Sequence, residues 1–321
     1  MSMNRSNGNA SAPAVRAREL RTELARKIAL FVGDAEKRAT DIPGLTLHRR
    51  TSPTAPCPAT YEPSVAVIAQ GRKRVELGRN TFIYDESRFL LTSVDLPTVS
   101  RVIEASEKSP CLVLSLKLEM PMVRELLSRE EIEVPAGDSS SPAMATGETT
   151  VELLDACCRL VNLLDTPGDI PFLAGLIQRE IIYRILRGDV GARLRAIATL
   201  GDQSHRTAKA IAWIKTNYAK PLRVEDLAEV AGMGVSTLHH HFRALTAMSP
   251  LQYQKQLRLQ AARARMLMDG LDAASAAFEV GYESASQFNR EYSRFFGQPP
   301  MRDIRTLRSP GAPALEAVVA Q

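Results

Sequence analysis

The chain has 321 residues, 45% of them apolar and 24% charged, with a net charge of +5, a balance that fits a folded protein of about two domains. No apolar run approaches the ~20 residues that cross a bilayer as a helix, and residues 1–20, MSMNRSNGNASAPAVRAREL, lack the apolar core of a secretory signal. The charge is unevenly placed, with 26 basic and 25 acidic residues over 1–200 against 15 and 10 over 201–308. Such a local surplus fits a polyanion partner but is too small for sequence-blind coating of nucleic acid, which depends on dense basic charge.

The leader is expected to be disordered. From 15 to 39 the spacing predicts an amphipathic helix with Leu20, Leu24, Ile28 and Phe31 on one stripe, lying on the next domain. Residues 41–60 are rich in proline and read as irregular or extended. From 61 to about 120 the period becomes two: VAVIAQ, KRVELG, TFIYD, RFLLTSV, TVSRVIEAS and CLVLSLKLE are short strands between turns. Gly78-Arg79-Asn80 marks a tight hairpin, and Leu112, Leu114, Leu116 and Leu118 share one face. Short strands at this spacing predict a small β-sandwich or barrel.

Helical spacing returns over 121–200. PMVRELLSREEI is one helix, residues 135–147 are a Ser/Pro/Gly-rich break, and VELLDACCRLVNLLD and FLAGLIQREIIYRIL are strongly apolar helices joined through Thr166-Pro167-Gly168-Asp169. The face formed by Leu153, Leu154, Cys157, Leu160, Val161 and Leu164 needs a partner surface. Two readings stay open: packing on its own barrel, or a homodimer interface through 151–187. A polar linker, GDQSH (201–205), precedes an all-helical region to about 308, and 309–321 reads as a disordered tail.

Two C-terminal segments share one plan, VEDLAEVAGMGVSTLHHHFRALTAMSP and DAASAAFEVGYESASQFNREYSRFFGQPP. Each has a short helix, a turn glycine (Gly232, Gly281), and a longer helix opened by small polar residues (Ser236 and Thr237, or Ser284 and Ser286). Glycine adopts the left-handed conformation that ends a helix and turns the chain, so each segment reads as a helix-turn-helix unit. In the first, Leu238, Phe242 and Leu245 face the core while His239, His240 and Arg243 point away. In the second, Phe288, Tyr292 and Phe295 repeat the core spacing while Asn289, Arg290 and Arg294 point away. Arg and Asn are residue types that contact guanine and adenine edges bidentately. Between the units, LQYQKQLRLQAARARMLM predicts a rod of about 18 residues, ~27 Å long, able to hold two readers near one DNA turn apart, ~34 Å.

With these motifs, residues 206–308 resemble the DNA-binding domain of the AraC/XylS family of regulators, on LAEVAGMGVSTLHHHF, SPLQYQKQLRLQAAR and VGYESASQFNREYSRFFGQPP. The resemblance implies base-facing Ser236, His239 and His240 in the first reader, and Ala285, Ser286, Asn289 and Arg290 in the second. Ala247 stands where the family has glycine, Arg223 where it has a Ser/Thr cap, and Asp303-Ile304 where it ends in Tyr-Arg. Upstream, YEPSVAVIAQGRKRVELG, TFIYDESRFLLTSVDLPTVSRVIEAS and PCLVLSLKLE resemble the sensor domain of a branch that includes aldehyde-responsive activators. The fold class so implied is α+β and multidomain: a cupin-like small β-barrel with flanking helices over 41–200, then an all-α domain with two helix-turn-helix units. The implied partners are double-stranded DNA at two adjacent major-groove segments, a small-molecule effector and RNA polymerase, in the cytoplasm, with no cofactor.

Other chemistry is weakly represented. Consecutive residues on a helix diverge by ~100°, so His239-His240-His241 cannot face one ion. A cupin-type enzyme with an appended DNA-binding domain is the alternative, but 61–120 holds no histidine and His48 stands alone before it. No phosphate-cradling glycine loop or Ser/His/Asp arrangement is apparent. The four cysteines, Cys57, Cys111, Cys157 and Cys158, fit neither a disulfide framework nor a CxxC site, and the adjacent pair points in two directions. Cys57, between Pro56 and Pro58, is the sensor candidate: a thiol expected at the barrel mouth near Arg49, Arg50, Arg72, Lys73 and Arg74, whose charge favours thiolate. The competing reading makes it a buried structural cysteine like Cys111.

Overall fold

The structure, a computed structural model, describes residues 12–129 and 142–308. Residues 1–11 of the expected leader, the expected tail and residues 135–141 of the expected break lie outside them.

Helix α1 (Ala12–Val32) buries Leu20, Leu24 and Ile28, the stripe read from the sequence, and half-buries Phe31. It ends sooner than expected, at Gly33 with φ +61°, and Lys37–Ala39 forms strand β1 instead. The strands that follow are β2 (Leu45–Arg50), β3 (Cys57–Tyr61), β4 (Ser64–Gln70), β5 (Arg72–Leu77), β6 (Asn80–Asp85), β7 (Arg88–Thr92), β8 (Leu96–Glu104) and β9 (Cys111–Lys117). After α2 (Met120–Leu127) comes β10 (Met144–Glu148). Of the two readings of residues 41–60, the extended one holds over β2 and most of β3, and the end of the expected break is a strand. Pro58 sits in β3, an edge strand, where a missing N–H costs no ladder bond.

The sheet order is β1-β2-β9-β4-β7-β6-β5-β8-β3, with β10 on β7. Between β6 and β7 the path runs through one residue pair, Asp85 and Arg88, at the turn joining the two strands. The N-terminal domain is thus a curled β half-barrel. Gly78 (φ +59°) and Arg79 make the two-residue hairpin between β5 and β6.

The two faces of the sheet are chemically different. Leu112, Leu114, Leu116 and Leu118 are buried on the outer face with α1 and the next two helices, α3 (Val151–Asn162) and α4 (Ile170–Arg187). Two short 3₁₀ turns join those helices. Leu153, Leu154, Cys157, Leu160 and Val161 are buried in the same core, with Leu164 packed against it. Both Cys157 and Cys158 are buried: α3 lies between α1 and α4, so two directions from it both end in protein. Burial pushes both thiols up, Cys158 to about 12, which makes them poor nucleophiles. The packing reading accounts for the apolar face of α3. The large apolar side chains of this pair still exposed are Phe172, Leu173 and Leu176 at the start of α4.

Helix α5 (Gly191–Ala198) leads to α6 (Gln203–Asn217). The expected linker is shorter than read, because Asp202 accepts from Ser204 N at 2.7 Å and caps α6 inside it. The remaining helices are α7 (Val224–Ala231), α8 (Val235–Thr246), α9 (Pro250–Met268), α10 (Ala273–Glu279), α11 (Ala285–Phe296) and α12 (Pro300–Arg308). The α6–α8 unit and the start of α9 share one apolar core with the inner strands, joining Ile211, Leu238, Phe242 and Tyr253 to Val75, Leu77, Tyr84 and Leu96. Around α10 and α11 there is a separate core.

Candidate functional site

The first helix-turn-helix unit is α7 and α8. Gly232 has φ +63° and caps α7, and the chain re-enters α8 through Gly234. Leu238, Phe242 and Leu245 are buried. The face opposite carries Ser236, Thr237, His239, His240 and Arg243, all exposed. In the second unit, α10 and α11, Gly281 has φ +89° and Ser284 caps α11 through Gln287 N at 3.3 Å. Phe288 and Tyr292 are buried while Phe295 is half-buried. Phe295 and Phe296 both pack against the same core, and the Phe296 ring meets Tyr292 in a tilted arrangement, centroids 4.4 Å apart. Ser284, Ser286, Asn289, Arg290 and Arg294 are exposed, and Ala285 is half-buried with only a methyl to offer.

Helix α9 joins the units and is ~28 Å long for its 19 residues. It starts on a capping box, Ser249 with Gln252, followed by Pro250. Sequence reasoning took it for a spacer, but its side chains also set the angle of each reader. Arg258 donates to Tyr218 O (2.7 Å) and Lys220 O (2.9 Å) past the end of α6, and to Gly281 O (2.9 Å) at the second turn. Gln254 donates to Tyr218 O and Lys220 O as well. Arg263, from the same helix, binds Asp303 of α12 with two bonds of 2.7 and 2.9 Å. Tyr292 and Gln298 also donate to Asp303 (2.7 and 2.9 Å). Burial would lower the Arg263 pKa, but Asp303 more than offsets it and the pKa lies above the ordinary value.

A second site lies in the half-barrel. Its inner face surrounds a cavity of about 290 Å³. Strand alternation puts Val113, Ser115 and Lys117 there, opposite the leucine face of β9, with Thr46 and His48 of β2 and Ser64 and Ala66 of β4 beside them. Lys73 of β5 and Tyr84 of β6, paired in register, line it from the other side. Lys73 was read from the sequence only as a charge near Cys57 and Lys117 not at all, because the residues that meet here come from strands far apart in the chain. His48 also lines the cavity.

Thr60 of β3 and Glu62 just after it reach both this cavity and the helical domain. Thr60 hydrogen-bonds Gln260 of α9. Glu62 binds Lys215 of α6 (2.8 Å) and lies 3.7 Å from Lys117. Lys215 also binds Asp95 (2.7 Å), whose backbone oxygen accepts from Tyr253 of α9. Burial raises both acids. Lys215 and Lys117 bring Glu62 below the usual carboxylate range, while for the more buried Asp95 burial wins.

Cys57 is half-exposed at the start of β3 but is not among the residues lining the cavity. Arg263 of α9 is one charged group within its electrostatic reach.

Residues 41–193 match the family model of the AraC-type transcriptional regulator N-terminus, and residues 227–305 match a helix-turn-helix domain. The chain belongs to the AraC family of transcriptional regulators. This AraC-family chain is 26% identical over 141 residues to the HTH-type transcriptional regulator ArgR of Pseudomonas aeruginosa, covering 44% of this chain and 43% of ArgR. It is 29% identical over 105 residues to the transcriptional activator RhaS of Yersinia pestis, covering 33% of this chain and 38% of RhaS. The match therefore spans less than half of either relative. Among solved structures, apo ToxT K231A of Vibrio cholerae superposes with a TM-score of 0.56 at 10% identity, over 84% of this chain and 99% of that one; this likeness is one of fold.

Within the AraC family the departures noted in the sequence have physical correlates. Ala247, at the usual glycine position, keeps the left-handed conformation at φ 59°, which costs about 1–2 kcal/mol for a residue with a Cβ. Its methyl packs where the β5–β6 hairpin arrives, since a Cβ on Gly78 would lie 2.8 Å from it. Arg223 leaves α7 without a side-chain cap; Glu225 and Asp226 in the first turn complement the helix dipole instead. Asp303 is the buried centre of the second unit's polar network.

Proposed function

We propose that this chain is a sequence-specific DNA-binding transcription regulator whose half-barrel senses a small molecule. The observation that carries this reading is the pair of exposed polar helix faces, on α8 and α11, held by one connecting helix. Two readers on one rod fit two adjacent major-groove segments of double-stranded DNA. In this reading Ser236, His239 and His240 read bases in the first segment, and Asn289, Arg290 and Ser286 in the second, with Ala285 packing its methyl on a thymine. Thr237, Arg243, Ser284 and Arg294 contact the backbone. A regulator of this kind acts in the cytoplasm and meets RNA polymerase. The cavity supports a small-molecule effector, as does the unsaturated fatty acid bound in a ToxT structure. ArgR and RhaS are named as a transcriptional regulator and a transcriptional activator.

The test is affinity on a site selected from a random duplex library. Arg290→Ala is expected to cost about 1–3 kcal/mol at that site and to relax preference at one base position. Equal weakening on every sequence would reduce Arg290 to a phosphate contact.

A homodimer through α4 is a second proposal, now confined to the exposed Phe172, Leu173 and Leu176. Phe172→Asp is expected to shift sedimentation from dimer to monomer with circular dichroism unchanged. A wild type that sediments as a monomer at high concentration would remove it. Cys57, half-exposed at the start of β3, is proposed as a sensor thiol; Cys57→Ser is expected to keep DNA binding and lose the response to aldehyde or oxidant.

A further inference from the structure

Helix α9 passes from one apolar core to the other within two residues. Tyr253 and Leu257 belong to the core of the first unit, and Leu259, Ala262 and Met266 to that of the second. Arg258 stands at the change-over. Long helices curve and bend, so a rod alone leaves some tilt and rotation between the units it joins. Beside α9 the two units touch directly. Tyr218 packs against both cores, and a Cβ on Gly281 would lie 1.9 Å from Ala219 O, so the second turn sits against the loop after α6, residues 218–220. The Arg258 guanidinium spans this seam. Its Nε and Nη2 donate to Tyr218 O (2.7 Å) and Lys220 O (2.9 Å) on the first unit's side, and its Nη1 donates to Gly281 O (2.9 Å) on the second's. It also lies over the ring of Tyr282, the next residue of that turn, 5.9 Å from its centroid. The rigid fork of arginine fixes directions as well as distances. Gln254, one helical turn earlier, donates to the same two carbonyls, Tyr218 O and Lys220 O, at 3.0 and 2.7 Å, and its bonds stop at the loop.

We infer that Arg258 is a positioning residue that sets the spacing at which the two readers bind DNA. By pinning the second turn to the loop of the first unit, it holds α8 and α11 in one relative orientation. The chain therefore admits one separation between its two base-pair segments. One extra base pair moves a segment about 3.4 Å along the duplex and about 35° around it, more than a pinned seam can follow. Arg258 touches no base in this account; it selects the distance between the segments, not their sequence. The inference rests on the reading of the chain as a two-reader regulator.

The experiment is titration of the full chain, by fluorescence anisotropy, on its selected duplex and on two altered duplexes. One has a base pair inserted between the two segments and the other has one removed. Wild type should bind the altered duplexes roughly 10-fold or more weaker, since one reader then meets wrong base pairs. Arg258→Met keeps helix propensity and an apolar stem but breaks the bridge. It should bind the selected duplex more weakly than wild type, because the loosened units must be ordered on binding. Its penalty for altered spacing should shrink to roughly threefold or less, because α11 can then swing after its segment. Arg258→Lys keeps the charge without the fork and should lose the spacing penalty as well. Gln254→Met removes bonds to the same loop but leaves the bridge to Gly281, so it should keep the wild-type penalty whatever it costs in stability.

Should Arg258→Met fail to fold, Arg258→Lys carries the test. A wild type that binds all three duplexes alike would overturn the inference. So would an Arg258→Met or Arg258→Lys protein that keeps the full spacing penalty, or a Gln254→Met protein that loses it. A wild type that selects no duplex at all would instead sink the regulator reading, a result distinct from tolerance of altered spacing.

Discussion

Asp303→Ala is expected to destabilise the second helix-turn-helix unit by about 3–5 kcal/mol, the cost of leaving one partner of a buried ion pair alone. Asp303 is 2% exposed and accepts from Arg263, Tyr292 and Gln298, so its removal strands three donors at once. Arg263 also lies over the Phe296 ring, 4.4 Å from its centroid, and would stay buried there without its counterion. Asp303→Asn keeps an acceptor and should cost less. The single tryptophan, Trp213, packs against the other core, shared by the first reader and the sensor. Urea unfolding of Asp303→Ala should therefore show an early loss of helical circular dichroism while Trp213 fluorescence keeps its wild-type transition. Wild-type unfolding by both probes would mean that the network carries no such load.

Gly281→Ala is expected to destabilise by roughly 3 kcal/mol or more, and Gly232→Ala by only about 1–2 kcal/mol. Both glycines turn the chain between the helices of a unit, at φ +89° and +63°. They differ in their surroundings. A Cβ at Gly232 meets nothing within 4 Å, so only the left-handed strain counts. At Gly281 it would stand 1.9 Å from Ala219 O and 3.0 Å from an Arg258 guanidinium nitrogen, and backbone has to move. Thermal unfolding of the two variants side by side measures the difference. Equal losses would show that the Arg258 junction is soft.

The two readers were legible in the sequence because each is local: a turn glycine followed by apolar residues at helical spacing. The leucine face of β9 was legible for the same reason, a strict period of two. What sequence reading missed depends on partners far along the chain. Strand β1 is three exposed residues, KRA, defined only by its ladder with β2. Strand β3 hides behind prolines that an edge position tolerates. The apolar face of α3 showed that a partner was needed but not whether α1 or a second chain supplies it. Lys37, Lys73 and Lys117 belong to different strands, and only the curl of the sheet gathers them. Arg258 looked like one more helix-forming residue, because its acceptors Tyr218 and Gly281 lie 40 and 23 residues away.

The central claim is that α8 and α11 read two adjacent major-groove segments at once. Methylation-protection footprinting of the full chain on its selected site tests this most directly. The expected result is two protected major-groove patches on one face of the duplex, about one turn or 10–10.5 base pairs apart, with Arg290→Ala clearing the patch read by α11 and sparing the other. A single isolated patch, or two that respond alike to Arg290→Ala, would contradict it.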